Sequence, residues 1–451
     1  MTRCTVAKRT VAKRTVAKRT VTSCTVTRRP GCPRKWPARL KEFSGAVPPG
    51  GEGAGPAVTD APVVGRILRE YHQRTIRPSD IRHVNGTVRG EQVVYQLMLP
   101  GGKSVVVRAL RADAPVGAQF AGCGTATMVD WLTSRAATLR WLAESGYPAP
   151  RVVPTRSGDL VGVAGAWLTL ATTFVPGSPL APDPRQLGML GDALGRLHSI
   201  PADVDGNLGV PVGRSAWHPE EAIPATLRRL DSVEALLPAQ WRPLYESFRQ
   251  TVDAVRQQAG VLRRAVVHGD AWPGNAIIAG RGGAGGVGGA GGGGGAAGVG
   301  GGDAGGVGGG GEAEVILIDW ETGGVGLPLL DLGHCLLECH LNPGQPQAWR
   351  IQPDDQRIAA VAEGYSGRRI LAPAELELLL DGIRFGVAFI GAIHFEQALL
   401  GGAHGAAMDI RLDRLRNRLA VSEAIAERAS PHLAGAGKRY AEPGRPEAAG
   451  A

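Results

Sequence analysis

Apolar and polar positions along the 451-residue chain change period part-way, which divides it into a strand-rich stretch and a helix-rich one. Residues 92–99 (QVVYQLML) and 104–110 (SVVVRAL) are short β-branched runs that predict two strands joined by the turn Pro100-Gly101-Gly102-Lys103. Residues 129–145 place Leu132, Ala136, Leu139 and Leu142 at helical spacing. The run AWLTLATTFV at 166–175 predicts a buried strand that stops at Pro176-Gly177. From Asp183 the period becomes helical. Asp183 is the expected N-cap, Pro184 the first helical residue, and Leu187, Leu190, Leu194 and Leu197 form one stripe. Further helices are expected at about 219–236, 239–259, 354–365, 373–400 and 410–428. The fold class is therefore α+β, with a small strand-rich lobe over 59–175, a hinge near 174–180 and a larger helical lobe over 176–430. The Gly/Pro/Ala-rich stretch 431–451 predicts a disordered tail.

Composition changes this picture only where it is uneven. The formal net charge is +9, yet residues 1–45 hold 13 Lys+Arg and one acid, Glu42. The other 406 residues hold 37 bases and 40 acids, so the basic character belongs to a tail. That tail repeats TVAKR three times, then TVTSC and TVTRR; a period of five fits neither helix nor strand. With the linker 44–58 it predicts a disordered segment over 1–58, an unstructured extension in preference to a polyanion-binding arm or a transit peptide. Nucleic-acid binding through the tail is the weakest of the functional readings. Six cysteines do not make a disulfide scaffold and fit reduced thiols in a cytoplasm. No apolar run reaches 18 residues, so neither a membrane-spanning helix nor a membrane partner is expected.

Glycine is concentrated too: 22 of the 32 residues from Gly280 to Gly311, a composition that predicts a disordered loop. Two β-runs flank it. Ala265-Val266-Val267 leads into His268-Gly269-Asp270 and on to Asn275, and Val315-Ile316-Leu317-Ile318 leads into Asp319-Trp320-Glu321. Asp270 and Asp319 are 49 positions apart; without the 32-residue block they are 17 apart, which suits a hairpin bringing both carboxylates to one edge. Short acids and amides where strands become loops suit metal binding and proton transfer.

The HGDxxxxN run of His268 to Asn275, the IDWE of Ile318 to Glu321 and the GxPxxDL of Gly326 to Leu332 resemble the aminoglycoside phosphotransferase and choline kinase superfamily, which is distantly related to protein kinases. The resemblance implies a protein kinase-like bilobal fold and transfer of the ATP γ-phosphate to a hydroxyl of a small molecule of aminoglycoside, sugar or amino-alcohol type. It implies Asp270 as the catalytic acceptor of the hydroxyl proton, and Asn275 and Asp319 as holders of Mg²⁺ against ATP. His268 would brace the catalytic loop, and Asp331 would tie the loop after Asp319 to the helical lobe. The hinge strand would offer backbone groups of Thr173 and Val175 to adenine. Residues 83–91 (HVNGTVRGE) take the place of a phosphate-covering loop.

The small lobe departs from the family pattern. Its strand presents Arg108 where a lysine is usual, and the following helix has Ala136 where a glutamate would pair with it. Arg108 is read as a phosphate contact, with an exposed strand charge as the alternative. This departure motivates a second hypothesis, a nucleotide-binding pseudokinase or regulatory module on the same fold. His334-Cys335-x-x-x-Cys339-His340 could form half a zinc site, but its leucine-rich setting favours a core helix. An acidic cleft, with Asp331, Glu338 and Glu396 as candidates, would favour aminoglycosides.

Overall fold

The computed structural model describes residues 65, 69–71, 81–86, 92–99, 103–112, 127–201, 212–280, 313–342, 350–402 and 406–439. The basic tail and linker, most of residues 83–91, the block after Gly280 and the final twelve residues lie outside them.

The small lobe is an antiparallel sheet. β1 (Ile81–Gly86), β2 (Gln92–Met98), β3 (Ser104–Arg111), β4 (Val152–Val153), β5 (Gly162–Ala164) and β6 (Trp167–Thr173) are arranged β1-β2-β3-β6-β4, with β5 also on β6. Period-two alternation gives β3 two different faces. Val105, Val107 and Ala109 join Tyr95, Leu97 and Ala171 in one core. On the opposite side Leu110 meets Trp131, Leu132 and Ala136 of α1 (Met128–Glu144) in another. The α1 helix starts because Thr127 accepts the Asp130 N–H in its side chain. Its second half, with Leu139 and Leu142, enters the large-lobe core and so joins the two lobes.

Beyond Thr173 the short β7 (Ser178–Pro179) already pairs with β9 (Ala276–Ala279) of the large lobe. The α2 helix (Pro184–Ser199) begins as its sequence dictates: the Asp183 side chain accepts the Gln186 N–H, and the four leucines of its stripe are fully buried. Against it lies α6 (Asp355–Ser366). The two backbones approach so closely that a Cβ at Gly191 would strike the Val361 carbonyl.

α3 (Pro219–Val233), α4 (Arg242–Gln258), α5 (Pro328–Glu338) and α9 (Ala406–Arg439) surround α8 (Leu379–Leu399), which follows the one-turn α7 (Pro373–Glu377). α8 is buried on most sides, in keeping with its nearly continuous apolar sequence. None of the described helices is long and apolar enough to cross a membrane. The predicted disorder from 431 needs correction at its start. α9 carries on across Pro431 to Arg439, and Leu433 is fully buried, so packing outweighs the local breaker.

Two ribbons position the motifs. β9 pairs antiparallel with β10 (Glu314–Leu317), in the register Ala276↔Leu317 to Ala279↔Glu314. β8 (Ala265–Val267) pairs antiparallel with β11 (Gly324–Gly326). The loops 268–275 and 318–323 therefore emerge side by side, as the shortened Asp270–Asp319 spacing predicts.

Candidate active site

The 268–275 loop turns at Gly269, whose φ of 86° is in the left-handed region, and a Cβ there would meet the Thr322 carbonyl of the neighbouring loop. Asp331, the first-turn acid of α5, accepts the N–H groups of His268 at 2.7 Å and Gly269 at 3.0 Å. This corrects the expected role of Asp331. It holds the loop that carries Asp270, and the link to the 318–323 loop is made instead by His268, whose Nε2 lies 2.8 Å from the Ile318 carbonyl. The His268 ring also packs edge-on against Trp320 at 4.6 Å.

Asp331 heads a buried relay of hydrogen bonds. Arg369 donates to the Tyr365 hydroxyl at 2.6 Å and to Glu375 at 2.7 Å. The Tyr365 oxygen accepts from Arg369, and its O–H can donate to Nδ1 of His198, 2.9 Å away, leaving Nε2–H of His198 for Asp331 at 3.2 Å. Burial lowers the His198 imidazole below its ordinary value despite the pull of Asp331, which agrees with a neutral ring donating through Nε2.

Asp270 and Asn275 are joined directly. The Asn275 amide donates to the Asp270 carboxylate at 2.8 Å and to its backbone carbonyl at 3.0 Å. The Asn275 carbonyl accepts the Ile318 N–H at 2.9 Å, bringing Asp319 alongside. Asp319 is the one non-glycine residue with positive φ among those described, at 67°. Such strain in a non-glycine residue costs on the order of 1–3 kcal/mol and gathers at functional sites. With the Asn275 amide nitrogen engaged, its side-chain oxygen and the Asp319 carboxylate supply hard oxygen donors that fit Mg²⁺, a cation that usually takes few protein ligands and completes its shell with water and phosphate. No cluster of three or more His, Cys, Asp or Glu suited to a metal occurs among the described residues.

His334, which sequence reasoning placed only in a rival zinc motif, lies with Nε2 3.0 Å from the other Asp270 oxygen. The zinc half-site does not assemble. Cys335 and Cys339 are buried core thiols pushed up by burial, and His340 accepts the Asp354 N–H. Enclosure opposes ionisation of both His334 and Asp270, but their mutual hydrogen bond and charge outweigh it. The imidazole therefore sits above 6.5 and the carboxyl below 3.8. A raised histidine stabilises the fold below its unfolded value and loses that contribution as pH rises through the folded value. A lowered aspartate contributes above its unfolded value and loses this as pH falls through the folded one. The melting penalty of His334→Gln is thus expected to peak between about pH 4.5 and 6.5 and to shrink toward pH 9 in thermal melts; a penalty constant with pH contradicts the pairing.

Arg108 is no exposed strand charge. Its guanidinium donates to Asp319 at 2.7 Å and pairs with Glu321, which also accepts from Gln92 at 2.8 Å. Glu321 of the large lobe thus lies against Arg108 of the small lobe, while Ala136 is packed in the apolar core. At the hinge, the Thr173 N–H is given to the Arg151 carbonyl at 2.8 Å, which leaves its carbonyl as the group to offer; Val175 follows in half-buried, irregular chain.

A cavity of about 300 Å³ opens beside Asp270 and His334. Of the acidic-cleft candidates only Glu338 lines it; Asp331 is fully buried behind the loop, and Glu396 pairs with Arg229 elsewhere. A larger, open groove of about 770 Å³ between α2 and α6 holds none of the motif residues, and its Arg196 and Arg368 are already paired with acids.

A strand-rich lobe joined to a helical lobe is a kinase-like bilobal fold. Residues 132–288 match the model of the phosphotransferase enzyme family. An amicoumacin kinase solved with AMP-PNP and Ca²⁺ shares the fold, with a TM-score of 0.54 and 16% identity over 82% of this chain and 93% of its own. So does a spectinomycin phosphotransferase solved with ADP and spectinomycin, at 0.50 and 14% over 82% and 98%. A homoserine kinase of Hyphomonas neptunium is 28% identical over 144 residues, which are 31% of this chain and 41% of that protein. The chain thus spans about two fifths of the length of this curated relative. Residues 132–288 are thus similar to the phosphotransferase enzyme family, and the chain shares the fold of these solved kinases.

Proposed function

We propose that this protein is an ATP- and Mg²⁺-dependent phosphotransferase that moves the γ-phosphate to a hydroxyl of a small molecule. The observation that carries the reading is the convergence of Asp270, Asn275 and Asp319 on adjoining loops, beside a cavity into which Asp270 opens. In the reaction the acceptor oxygen bonds to the γ-phosphorus, the bond to the bridging oxygen of ADP breaks, and the hydroxyl proton passes to Asp270. His334 and Asn275 hold the two Asp270 oxygens and so fix its carboxylate for that transfer. Mg²⁺ held by Asn275 and Asp319 would neutralise charge developing on the transferring phosphate. Arg108, facing Asp319 from the small lobe, is placed to shift its hydrogen bonds to a nucleotide phosphate. The Thr173 carbonyl and Val175 would meet adenine.

One observation favours a second reading, a nucleotide-binding module that transfers nothing: Arg108 engages Asp319 and Glu321 together, occupying the carboxylate that a metal needs. ADP formation from ATP and Mg²⁺ with a panel of aminoglycosides, sugars and amino alcohols separates the two. Acceptor-dependent ADP supports the phosphotransferase; an ATP-induced melting shift without ADP supports the module. On the phosphotransferase reading Arg108→Ala is expected to raise the KM for ATP roughly ten- to a hundredfold through loss of a charge-assisted contact, and an unchanged KM would sink the phosphate role.

A further inference from the structure

We infer that Arg418 holds the non-reacting end of the acceptor, and that this acceptor is a compact hydroxy acid bearing a carboxylate. The inference rests on the phosphotransferase reading and names the substrate class of the same site. α5 presents Asp331, His334 and Glu338 at i, i+3 and i+7, one stripe of the helix. The stripe leads from the backbone of the catalytic loop, past the Asp270 carboxylate, into the 300 Å³ cavity.

At the far end Glu338 meets Arg418 of α9 in a two-pronged pair: Nε donates to Oε1 at 2.8 Å and Nη2 to Oε2 at 3.0 Å. One edge of the guanidinium is thereby used, and the group is held in a fixed plane. Nη1 donates to no protein group among the described residues, so the second edge, Nη1 with the remaining Nη2 proton, is open on a residue that lines the cavity. A planar fork with two parallel donors matches a carboxylate better than it matches any uncharged group.

Size points the same way. Asp270 is matched by His334 and Glu338 by Arg418, so net charge selects neither sign and the open guanidinium edge makes the choice. Trp272, Leu341, Val387 and Ile390 make the rest of its lining largely apolar. A volume of about 300 Å³ lies at the small end of ligand pockets, which suits a compact acceptor. The acceptor hydroxyl lies at the Asp270 end and its carboxylate at the Arg418 end.

The test compares acceptors that differ only in the carboxylate, each with ATP and Mg²⁺: L-homoserine against 3-amino-1-propanol and L-serine against ethanolamine, with kanamycin as the polycation. The carboxylate member of at least one pair should be strongly preferred in kcat/KM. That preference should fall roughly ten- to a hundredfold in Arg418→Lys, which keeps the charge and loses the fork, mainly through KM. The double variant Glu338→Gln/Arg418→Gln leaves no orphaned charge and should lose the preference as well; melting curves report whether each variant is folded. Equal or better use of the amino alcohols or kanamycin overturns the inference, as does a preference that survives in both variants. Turnover of no acceptor while ATP still shifts the melting temperature overturns it in favour of the nucleotide-binding module. Turnover of none with no ATP-induced shift overturns the phosphotransferase reading with it.

Discussion

Asp270→Asn is expected to lower kcat by about two to four orders of magnitude, the range for removal of a positioned general base. Asparagine keeps the shape of the side chain and can still meet His334 and Asn275, so the loop should retain its course. What disappears is the capacity to take the acceptor proton. KM for ATP should change by less than about threefold, because Asp270 faces the acceptor cavity and not the Arg108 side of the cleft. Steady-state kinetics with the preferred acceptor decide the matter. A loss in KM alone, with kcat preserved, would make Asp270 a binding group.

Asp331→Ala is expected to destabilise the protein by about 3–5 kcal/mol, the range for removing one member of a buried charged network. The carboxylate is fully buried and accepts from two backbone N–H groups and from His198. Alanine would leave all three donors without a partner in a dry interior, and each orphaned donor costs on the order of 1–3 kcal/mol. The relay through Tyr365 and Arg369 to Glu375 would lose its terminus, so the effect should reach α7, where Glu375 accepts the Ala372 N–H. Urea unfolding measures the loss, and a change below about 1 kcal/mol would show that water replaces the carboxylate at little cost.

The sequence was most informative where function and fold coincide along a continuous stretch. The alternation of Val105, Val107 and Ala109, the Asp183 cap with its leucine stripe, and the β9–β10 hairpin behind Asp270 and Asp319 all follow from local rules. The groups it hid depend on side chains that meet across long separations. His334 reaches Asp270 over 64 positions, and Arg418 reaches Glu338 over 80. A pair of cysteines one turn apart drew attention to zinc, while the histidine between the motifs had another partner. Spacing did hold one clue: His334 falls three residues after Asp331, and a helix through GxPxxDL puts both on one face. The approach of Glu321 to Arg108 left no such signal, because a strand arginine does not show which acid of the other lobe will face it. The end of α9 was hidden for a different reason. Pro431 and nearby small residues look like a frayed terminus until Leu433 is seen to be buried.

Phosphorus NMR of the wild-type protein with ATP, Mg²⁺ and one acceptor at a time, run beside Asp270→Asn, shows whether phosphate is transferred and whether Asp270 drives it. A new phosphomonoester resonance should grow with the loss of ATP γ-phosphate, require the acceptor, and be nearly absent from the variant. ATP that stays intact with every acceptor, or a phosphomonoester formed equally fast by Asp270→Asn, would contradict transfer driven by Asp270.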